Sequence, residues 1–585
     1  MKKNTLYNKV RTLAVVAAAL PAGGLLSGCS DFLEVEPQNV ITLEQFWNEE
    51  ADVKNIIAGC YSGMESYAML SRMMIWGEFR AENIINNGII DKDVSLERIL
   101  KENIMANNPY TYWGDFYNII NRCNTVIEYA PGVAEKDPSY TQSELRADIA
   151  EVTAIRSLCY FYLIRTFRDV PYTEEAYLDD SQELAQPVMP FNEVLDKLIA
   201  SLEAVKGDAI TKYPEATGLA AYYNTGRVTL NFIHALLCEM YLWKQDYQKC
   251  IEYADLIIEA KKKDAEENKI SPTYFKITNG YPLIHTQNGS STTLFGLAFS
   301  EIFVQGNSME SIFELNFDKE SGDRQISNGP VSDFFFGRGV PYTVCTSYVG
   351  NDQKNEVYKV FDSSNKGKDA RGYENFMGFA IMKYAYRGGF SYDTSRKEYN
   401  FGGFYPTHGD KEESRNKANY IIYRLTDIML LKAEALSQLM SDANGDAALS
   451  QQDQLRLEEA FKLVNAVNKR SVMQSDLKDT LVHTNYKNKA DITELVYAER
   501  NRELMFEGKR YFDLVRRSQR DGNTDYLRSN VANKSVDLRG IIESKMQKMD
   551  AIYWPYNLDE LKANPKLKQN PAFGSGENGS FEANR

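Results

Sequence analysis

Two carboxylates one helical turn apart stand among arginines in the stretch ITELVYAERNRELMFEGKRYFDLVRR. Glu499 and Glu503 share one face of a predicted helix and are interleaved with Arg500 and Arg502. Such a pair could perform acid–base catalysis if one carboxyl group kept its proton near neutral pH. Neighbouring guanidinium groups lower a carboxyl pKa, which is the opposite of what a general acid needs. The pattern therefore favours ion pairs that hold two helices together over a catalytic centre.

Cys29 is the next residue with distinctive chemistry, because it ends an apolar leader. The first eleven residues carry only positive charges, and the apolar stretch after them is too short to span a membrane. Leu26, Ser27 and Gly28 place small residues directly before the cysteine, which is the pattern of a lipoprotein signal. The sequence predicts a signal peptide at 1–28, acylation of Cys29 by fatty acids such as palmitate, and a tether at 29–40. The alternative is an ordinary secretory signal with an incidental cysteine.

Other reactive residue types show no organised pattern. Six further cysteines lie without CxxC spacing and the four histidines are far apart, so we expect buried free thiols and no metal or cofactor. Asp442, Asn444 and Asp446 are spaced as in a calcium loop, but the sixth-position glycine and the twelfth-position glutamate are missing. The net charge of −14, which becomes more negative once the leader is removed, argues against a nucleic-acid partner.

Three regions are distinguished by their patterns. Residues 41–270 and 419–585 are mainly helical, whereas 271–418 is a loop-rich, aromatic-rich insert with a few short strands, including a hairpin near IMKYAY. Residues 235–258 form two amphipathic helices around a tight turn, typical of a tetratricopeptide unit. Weaker helix pairs are predicted at 115–129 with 144–167, and at 421–439 with 455–468. The expected fold is therefore mainly α, a scaffold of stacked helix pairs.

Six stretches resemble one family. CSDFLEVEPQNVITLEQFW at the mature terminus is similar to the start of SusD/RagB proteins, the outer-membrane nutrient-binding lipoproteins of Bacteroidetes. Further resemblances are YTYWGDFYNIINRCNTVIE, AIRSLCYFYLIRTFRDVPYT, IIYRLTDIMLLKAEAL, ERNRELMFEGKRYFDLVRR and YWPYNLDELKANPKLKQNP. In the last of these, Tyr556 stands where the family commonly has isoleucine or a similar residue.

The resemblance implies a function as well as a fold. Family members are not enzymes. They cover a SusC-like TonB-dependent transporter at the outer membrane, face the cell exterior, and capture oligosaccharides, or peptides in some members. Oligosaccharide capture is therefore expected, with a peptide-capturing lid as the alternative. An anchored helical glycosidase or lyase, and a purely structural lid without a ligand, are further alternatives.

Aromatic rings and amides are the groups that would bind a glycan, because rings stack on sugar C–H surfaces and amides bridge hydroxyl groups. Trp47, Trp113, Trp243 and Trp554 are expected in the core. One side of the ligand site is predicted near a helix end at Asn86–Gly88, and the other in the loop SDFFFGRGVPYTVCTSY. The candidate ligand residues are Trp76, Arg80, Asn86, Asn87, Phe335, Tyr342 and Tyr348.

The first testable expectation concerns the terminus. Mass spectrometry of the mature protein should find acyl chains on Cys29, and fractionation should recover the protein with the outer membrane. An unmodified mature terminus together with free periplasmic protein would contradict the predicted anchor.

Overall fold

Antiparallel helix pairs form the frame of the molecule in the computed structural model. The structure describes residues 46–88, 93–178, 182–214, 224–268, 278–284, 297–317, 320–321, 324–325, 328–335, 341–349, 360–361, 369–384, 386–393, 398–406, 417–441, 449–472 and 481–574. From Trp47 onward the chain forms one compact unit. Cys29, the leader, the tether and the calcium-like loop at 442–448 lie outside the described residues.

The N-terminal helices lie close to their predicted positions. Their bounds are α1 Glu50–Met64, α2 Tyr67–Met74, α3 Val94–Leu100, α4 Gly114–Lys136, α5 Gln142–Phe167, α6 Phe191–Val205, α7 Leu230–Trp243 and α8 Tyr247–Glu267. A π-helical turn at Ile75–Phe79 follows α2, and a 3₁₀ turn at Pro109–Thr111 precedes α4.

Local sequence signals explain where the paired helices begin and end. Helix α5 begins with a capping box, in which Thr141 and Glu144 each accept a backbone N–H of the other. Helix α7 stops before Gln245, which has a positive φ of 65°, and Asp246 then caps α8 by accepting the Lys249 N–H. Helices α4 with α5, and α7 with α8, pack as the predicted pairs.

The insert and the C-terminal region contain shorter helices and then a second group of pairs. The bounds are α9 Leu297–Phe299, α10 Gly329–Phe334, α11 Arg371–Glu374, α12 Leu425–Gln438, α13 Gln451–Ser471, α14 Lys489–Leu504, α15 Arg510–Asp521, α16 Asp525–Val531, α17 Arg539–Lys545 and α18 Leu558–Ala563. Helices α12 and α13 form the third predicted pair.

Strands form six separate antiparallel pairs within the described residues. They are β1 Ile84–Asn86 with β7 Thr343–Cys345, β2 Val170–Pro171 with β3 Val188–Met189, β4 Ser311–Leu315 with β12 Tyr420–Arg424, β5 Glu320–Ser321 with β6 Arg324–Gln325, β8 Phe376–Met377 with β9 Ala380–Ile381, and β10 Tyr386–Asp393 with β11 Glu398–Pro406. The hairpin of β10 and β11 confirms the hairpin predicted near IMKYAY.

Two sequence-based boundaries are wrong. Residues 421–424 were expected in a helix, but they extend β12 because a run of aromatic and β-branched residues pairs with the buried strand β4. The helix expected to end at Asn86–Gly88 stops earlier, and Asn86 lies in β1. The predicted mainly α fold with a few short strands is otherwise confirmed. Its division into three regions remains a prediction.

The core includes the residues expected there. Trp47, Trp113, Trp243 and Trp554 are buried, and the six cysteines after Cys29 are buried and free. No helix among the described residues combines the length and the apolar character that a membrane-spanning segment requires.

Buried ion pairs connect the insert to the C-terminal helices. The carboxylate of Glu503 pairs with Arg371 of α11, Arg424 of β12 and Arg470 of α13. Although burial alone raises the pKa of Glu503, these three guanidinium groups hold it well below its usual range. We call the set to which these groups belong the buried charge lattice; its members are Glu310, Asp369, Arg371, Lys383, Arg424, Arg470, Glu499, Glu503 and Glu507. The ion-pair interpretation of Glu499 and Glu503 is thereby confirmed.

Backbone contact between two glycines joins the N-terminal region to this lattice. A Cβ atom on Gly77 would lie 1.8 Å from the carbonyl oxygen of Gly508, and Gly508 has a φ of 72°. Next to this contact, the Glu78 carboxylate accepts the backbone N–H groups of Phe506, Lys509 and Arg510. The turn after α2 is therefore fixed against the start of α15.

Glu374 provides a test of the lattice, because it lies beside these ions but its carboxyl pKa is raised, whereas that of Glu503 is lowered. Its Oε1 has no hydrogen-bond partner among the described residues, and burial raises its pKa to about 8. Between the unfolded pKa and about 8 the folded chain holds a proton that the unfolded chain releases, so stability falls as pH rises through this window. Glu374→Gln should remove this loss and raise the free energy of unfolding by about 2–4 kcal/mol at pH 8, with little effect at pH 5.

Glu503→Gln is the matched comparison, since the same change acts on a carboxylate that three guanidinium groups hold ionised. It should lower the free energy of unfolding by about 3–5 kcal/mol, because it leaves buried positive charge uncompensated. Urea denaturation at both pH values measures both variants. Equal effects of the two substitutions would contradict the assigned charge states.

Candidate functional site

Three tyrosines from separate parts of the chain meet at one surface. Tyr67 begins α2, Tyr110 lies in the 3₁₀ turn before α4, and Tyr342 directly precedes β7. Asp333 links two of them, because its side chain accepts the Tyr67 hydroxyl and its backbone carbonyl accepts the Tyr342 N–H at 2.9 Å. Burial and Asp93 raise the pKa of Tyr110 most, and Tyr67 and Tyr342 both raise it further, which agrees with a position beside them. We call these residues, with Asp93 and Asp333, the tyrosine surface.

Tyr67 is the most accessible ring of the set, with 47% of its surface exposed. Its hydroxyl donates to Asp333 Oδ2 at 2.7 Å, and Asp333 lies on α10 of the insert. A Cβ atom on Gly329, which starts α10, would lie 2.8 Å from the ring of Tyr67. The helix start therefore approaches the ring closely because residue 329 has no side chain.

Tyr110 is held by a second carboxylate. Its hydroxyl donates to Asp93 Oδ2 at 2.7 Å, while Asp93 Oδ1 caps α3 by accepting the Leu96 N–H at 2.9 Å. The indole N–H of Trp76 donates to the backbone carbonyl of Tyr110 at 2.8 Å. Tyr110 is thus fixed at its hydroxyl and at its backbone.

Tyr342 is positioned by the pairing of β1 with β7. The backbone N–H of Asn87 donates to the Tyr342 carbonyl at 3.2 Å, and the Asn87 side-chain amide donates to the Pro341 carbonyl at 3.1 Å. Asn86 pairs with Thr343 in the same register. The structure thereby brings the predicted residues Asn86, Asn87 and Tyr342 together at the surface, all of them half-buried.

Both carboxylates act on the tyrosine hydroxyl groups. Burial first, and then the Asp333 and Asp93 carboxylates, raise the pKa of Tyr342 above its ordinary value. Burial and the hydrogen bond to Asp333 likewise raise the pKa of Tyr67. The tyrosines therefore stay protonated, and the surface combines flat rings and hydroxyl groups with two negative charges.

A pocket adjoins the Pro109–Thr111 turn, because Pro109 lines it. It has a volume of about 420 Å³, and the exposed ring of Tyr112 forms one wall. The guanidinium of Arg72 lies 5.7 Å from the centre of that ring and pairs with Asp115 at 2.8 Å. Asn557, Asp559 and Lys562 line the opposite wall. We call this the Tyr112 pocket.

Trp76, Arg80 and Phe335 were predicted as ligand contacts, and their positions contradict this. Trp76 is fully buried and stacks on Phe116, with 4.7 Å between ring centres. Arg80 is 2% exposed because its guanidinium pairs with Glu102 and donates to carbonyl groups of residues 551–553. Phe335 is 1% exposed and packs against Phe79 beneath the tyrosine surface.

The remaining candidates stay predictions. Tyr342 belongs to the tyrosine surface, and Asn86 and Asn87 border it. Tyr348 is half-buried, and its hydroxyl is influenced chiefly by burial and then by Glu82 and Arg510, rather than by Asp93 or Asp333. These neighbours place Tyr348 beside the C-terminal helices instead of the tyrosine surface.

Sequence reasoning missed Tyr67, Tyr110, Asp93 and Asp333. Tyr67 carried a usable signal, because it precedes the buried residues of YAMLSRMM at the exposed start of a helix. Tyr110 stands in PYTYW, where the neighbouring tryptophan drew attention to the core instead. The two aspartates had no local signal, since their tyrosine partners are 17 and 266 positions away.

Profiles of known families cover most of the chain. One, described as the SusD family, matches residues 309–573, and another, described as "Starch-binding associating with outer membrane", matches residues 31–230. Together they include the α4–α5 and α12–α13 pairs, the insert strands and the segments that carry the tyrosine surface, whereas the α7–α8 pair lies between the two matched ranges. The chain belongs to the SusD/RagB family.

Individual relatives agree with the SusD/RagB assignment. SusD-like protein P38 of Formosa agariphila is 26% identical over 96% of this chain and 99% of its own length, and SusD-like protein P2 of the same organism is 23% identical over 84% and 88%. Two SusD-family crystal structures from Bacteroides thetaiotaomicron share the fold over 90% of this chain. The first has a TM-score of 0.62 and 15% sequence identity, and 98% of its chain is aligned. The second has a TM-score of 0.60 and 20% sequence identity, and 99% of its chain is aligned.

Proposed function

We propose that this protein captures oligosaccharides at the cell surface and passes them, chemically unchanged, to a SusC-like TonB-dependent outer-membrane transporter. The observation that carries the proposal is the tyrosine surface, which three separate segments assemble and two carboxylates hold in place. One matching family profile, whose description refers to starch binding and the outer membrane, supports the same conclusion.

The chemistry of the surface suits sugars. Tyrosine rings offer apolar faces to sugar C–H groups, and their hydroxyl groups exchange hydrogen bonds with sugar hydroxyl groups. The amide side chains of Asn86 and Asn87 border these rings and provide both donors and acceptors. The Tyr112 pocket, which Pro109 of the same turn also lines, adds an exposed ring, so a ligand of several sugar units has more than one ring to stack on.

The anchor and the partner complete the proposal. An acylated Cys29 would hold the protein on the outer membrane with the helix pairs facing outward, beside the transporter. The family relationship and the leader sequence support this arrangement.

Two alternatives have less support. A peptide-capturing lid would use the same rings, but the profile description that refers to starch binding favours a sugar ligand. A glycosidase or lyase would need a carboxyl pair free to exchange protons with the substrate. In the tyrosine surface each carboxylate already accepts a tyrosine hydroxyl, which favours binding without chemistry.

Removal of rings tests the site. Tyr67→Ala and Tyr342→Ala together should weaken oligosaccharide binding about tenfold or more, since each stacked ring contributes about 0.5–1.5 kcal/mol. Calorimetry against a panel of plant, host and microbial glycans measures the loss. Leu256→Ala is the control, because Leu256 is a 51% exposed apolar residue on α8 that lies outside the tyrosine surface.

Several outcomes would contradict the proposal. Unchanged oligosaccharide affinity in the double variant would show that the tyrosine surface is not the ligand site. Binding of peptides, with no binding of any glycan in the panel, would favour the peptide-capturing lid. Release of reducing ends by the purified protein would revive the enzyme alternative.

A further inference from the structure

The tyrosine surface carries fixed negative charge. Asp333 and Asp93 are both half-buried, and each is held by the hydroxyl of a ring that forms the surface, at 2.7 Å. These hydrogen bonds prevent the carboxylates from turning away when a ligand arrives. A bound sugar that contacts Tyr67 or Tyr110 therefore lies close to a carboxylate.

The two charges act at the same place. Both carboxylates raise the pKa of Tyr342, so their fields overlap at the ring between β7 and α10. The two carboxylates disfavour an ionised tyrosine hydroxyl because it would add a further negative charge beside them. A carboxylate or sulfate group of a ligand at the same place would be disfavoured for the same reason.

Arg72 lies beside this surface and forms its ion pair with a different carboxylate. Arg72 belongs to the same helix as Tyr67, but its guanidinium pairs with Asp115 at 2.8 Å and donates to backbone carbonyl groups of Ala68 and Pro109. Its charge acts on the hydroxyl groups of both Tyr110 and Tyr112, but its ion pair is with Asp115, and no ion pair with Asp93 or Asp333 is present among the described residues.

We propose that Asp93 and Asp333 restrict the tyrosine surface to neutral or amine-bearing oligosaccharides and exclude uronates and sulfated glycans. This inference rests on the proposed function and narrows it to a substrate class. The selection is exerted by repulsion, so it operates even where the rings could stack equally well on the acidic sugar.

Oligosaccharide pairs that share a backbone and differ by one carboxylate or sulfate group test the selection directly. In about 20 mM sodium chloride, the neutral member of a pair should bind at least about tenfold more tightly than the acidic member, and about 500 mM salt should shrink the difference. The double variant Asp93→Asn, Asp333→Asn should reduce the difference in affinity between the neutral and the acidic member at low salt. At position 333 the amide oxygen accepts the Tyr67 hydroxyl. At position 93 the amide oxygen accepts the Leu96 N–H, and the NH₂ group donates to the Tyr110 hydroxyl, so the rings keep their hydrogen bonds.

Glu259→Gln is the matched control, because it removes one negative charge from an exposed position on α8. This substitution should leave the affinity difference between the neutral and the acidic oligosaccharide unchanged. Equal or tighter binding of the acidic member by the wild-type protein would overturn the inference, as would an unchanged difference in the double asparagine variant.

A second measurement separates this inference from the proposed function. Fluorotyrosine at position 342 reports, by NMR relaxation, how closely cationic and anionic nitroxide probes approach the surface without any glycan. The cationic probe should relax the signal more strongly, and the double asparagine variant should reduce this bias. Stronger relaxation by the anionic probe would overturn the inference. If no glycan binds while the cationic probe is favoured, the proposed function fails and the charge selection stands for whatever ligand the surface takes.

Discussion

A carboxylate enclosed by three guanidinium groups is the interaction on which the rest of this structure depends. Glu503 pairs with arginines from the insert, from strand β12 and from helix α13, and all four side chains are buried. Charges withdrawn from water are stable only when every partner is present. The insert, the strand and the helices must therefore reach their positions together, which explains how a loop-rich segment is held firmly in an otherwise helical protein.

The same arrangement explains how distant segments form the tyrosine surface. Gly508 and the start of α15 follow the lattice helix in sequence, and they fix the turn after α2 through Gly77 and Glu78. That turn follows the helix that carries Tyr67. It contains Trp76, whose indole N–H donates a hydrogen bond to the backbone carbonyl of Tyr110. The rings lie outside the lattice, at the start of α2, in the 3₁₀ turn before α4 and next to β7. A substitution at Tyr67, Tyr110 or Tyr342 therefore changes the surface without breaking an ion pair of the lattice.

The framework was predictable because its signals are local. Helical spacing identified the pairs, and alternating glutamates and arginines one turn apart predicted ion pairs before any partner was known. The candidate site was predictable only in part. Asn86, Asn87 and Tyr342 were found from loop position, whereas Trp76, Arg80 and Phe335 were misjudged because the sequence does not show which face of a turn is covered. Asp333 and Tyr67 are 266 positions apart, and their contact exists only through the fold.

Amide hydrogen exchange with and without bound sugar is the most direct test of the central claim, that a lattice-supported tyrosine surface is where the ligand binds. The ligand would be the oligosaccharide that binds most tightly in a glycan array. The account predicts new protection at residues 67–74, 84–87, 108–112 and 341–345, while the lattice segments, already protected, stay unchanged. Protection confined to other surfaces, such as the cavity lined by Arg168, Phe191 and Gln519, would contradict it.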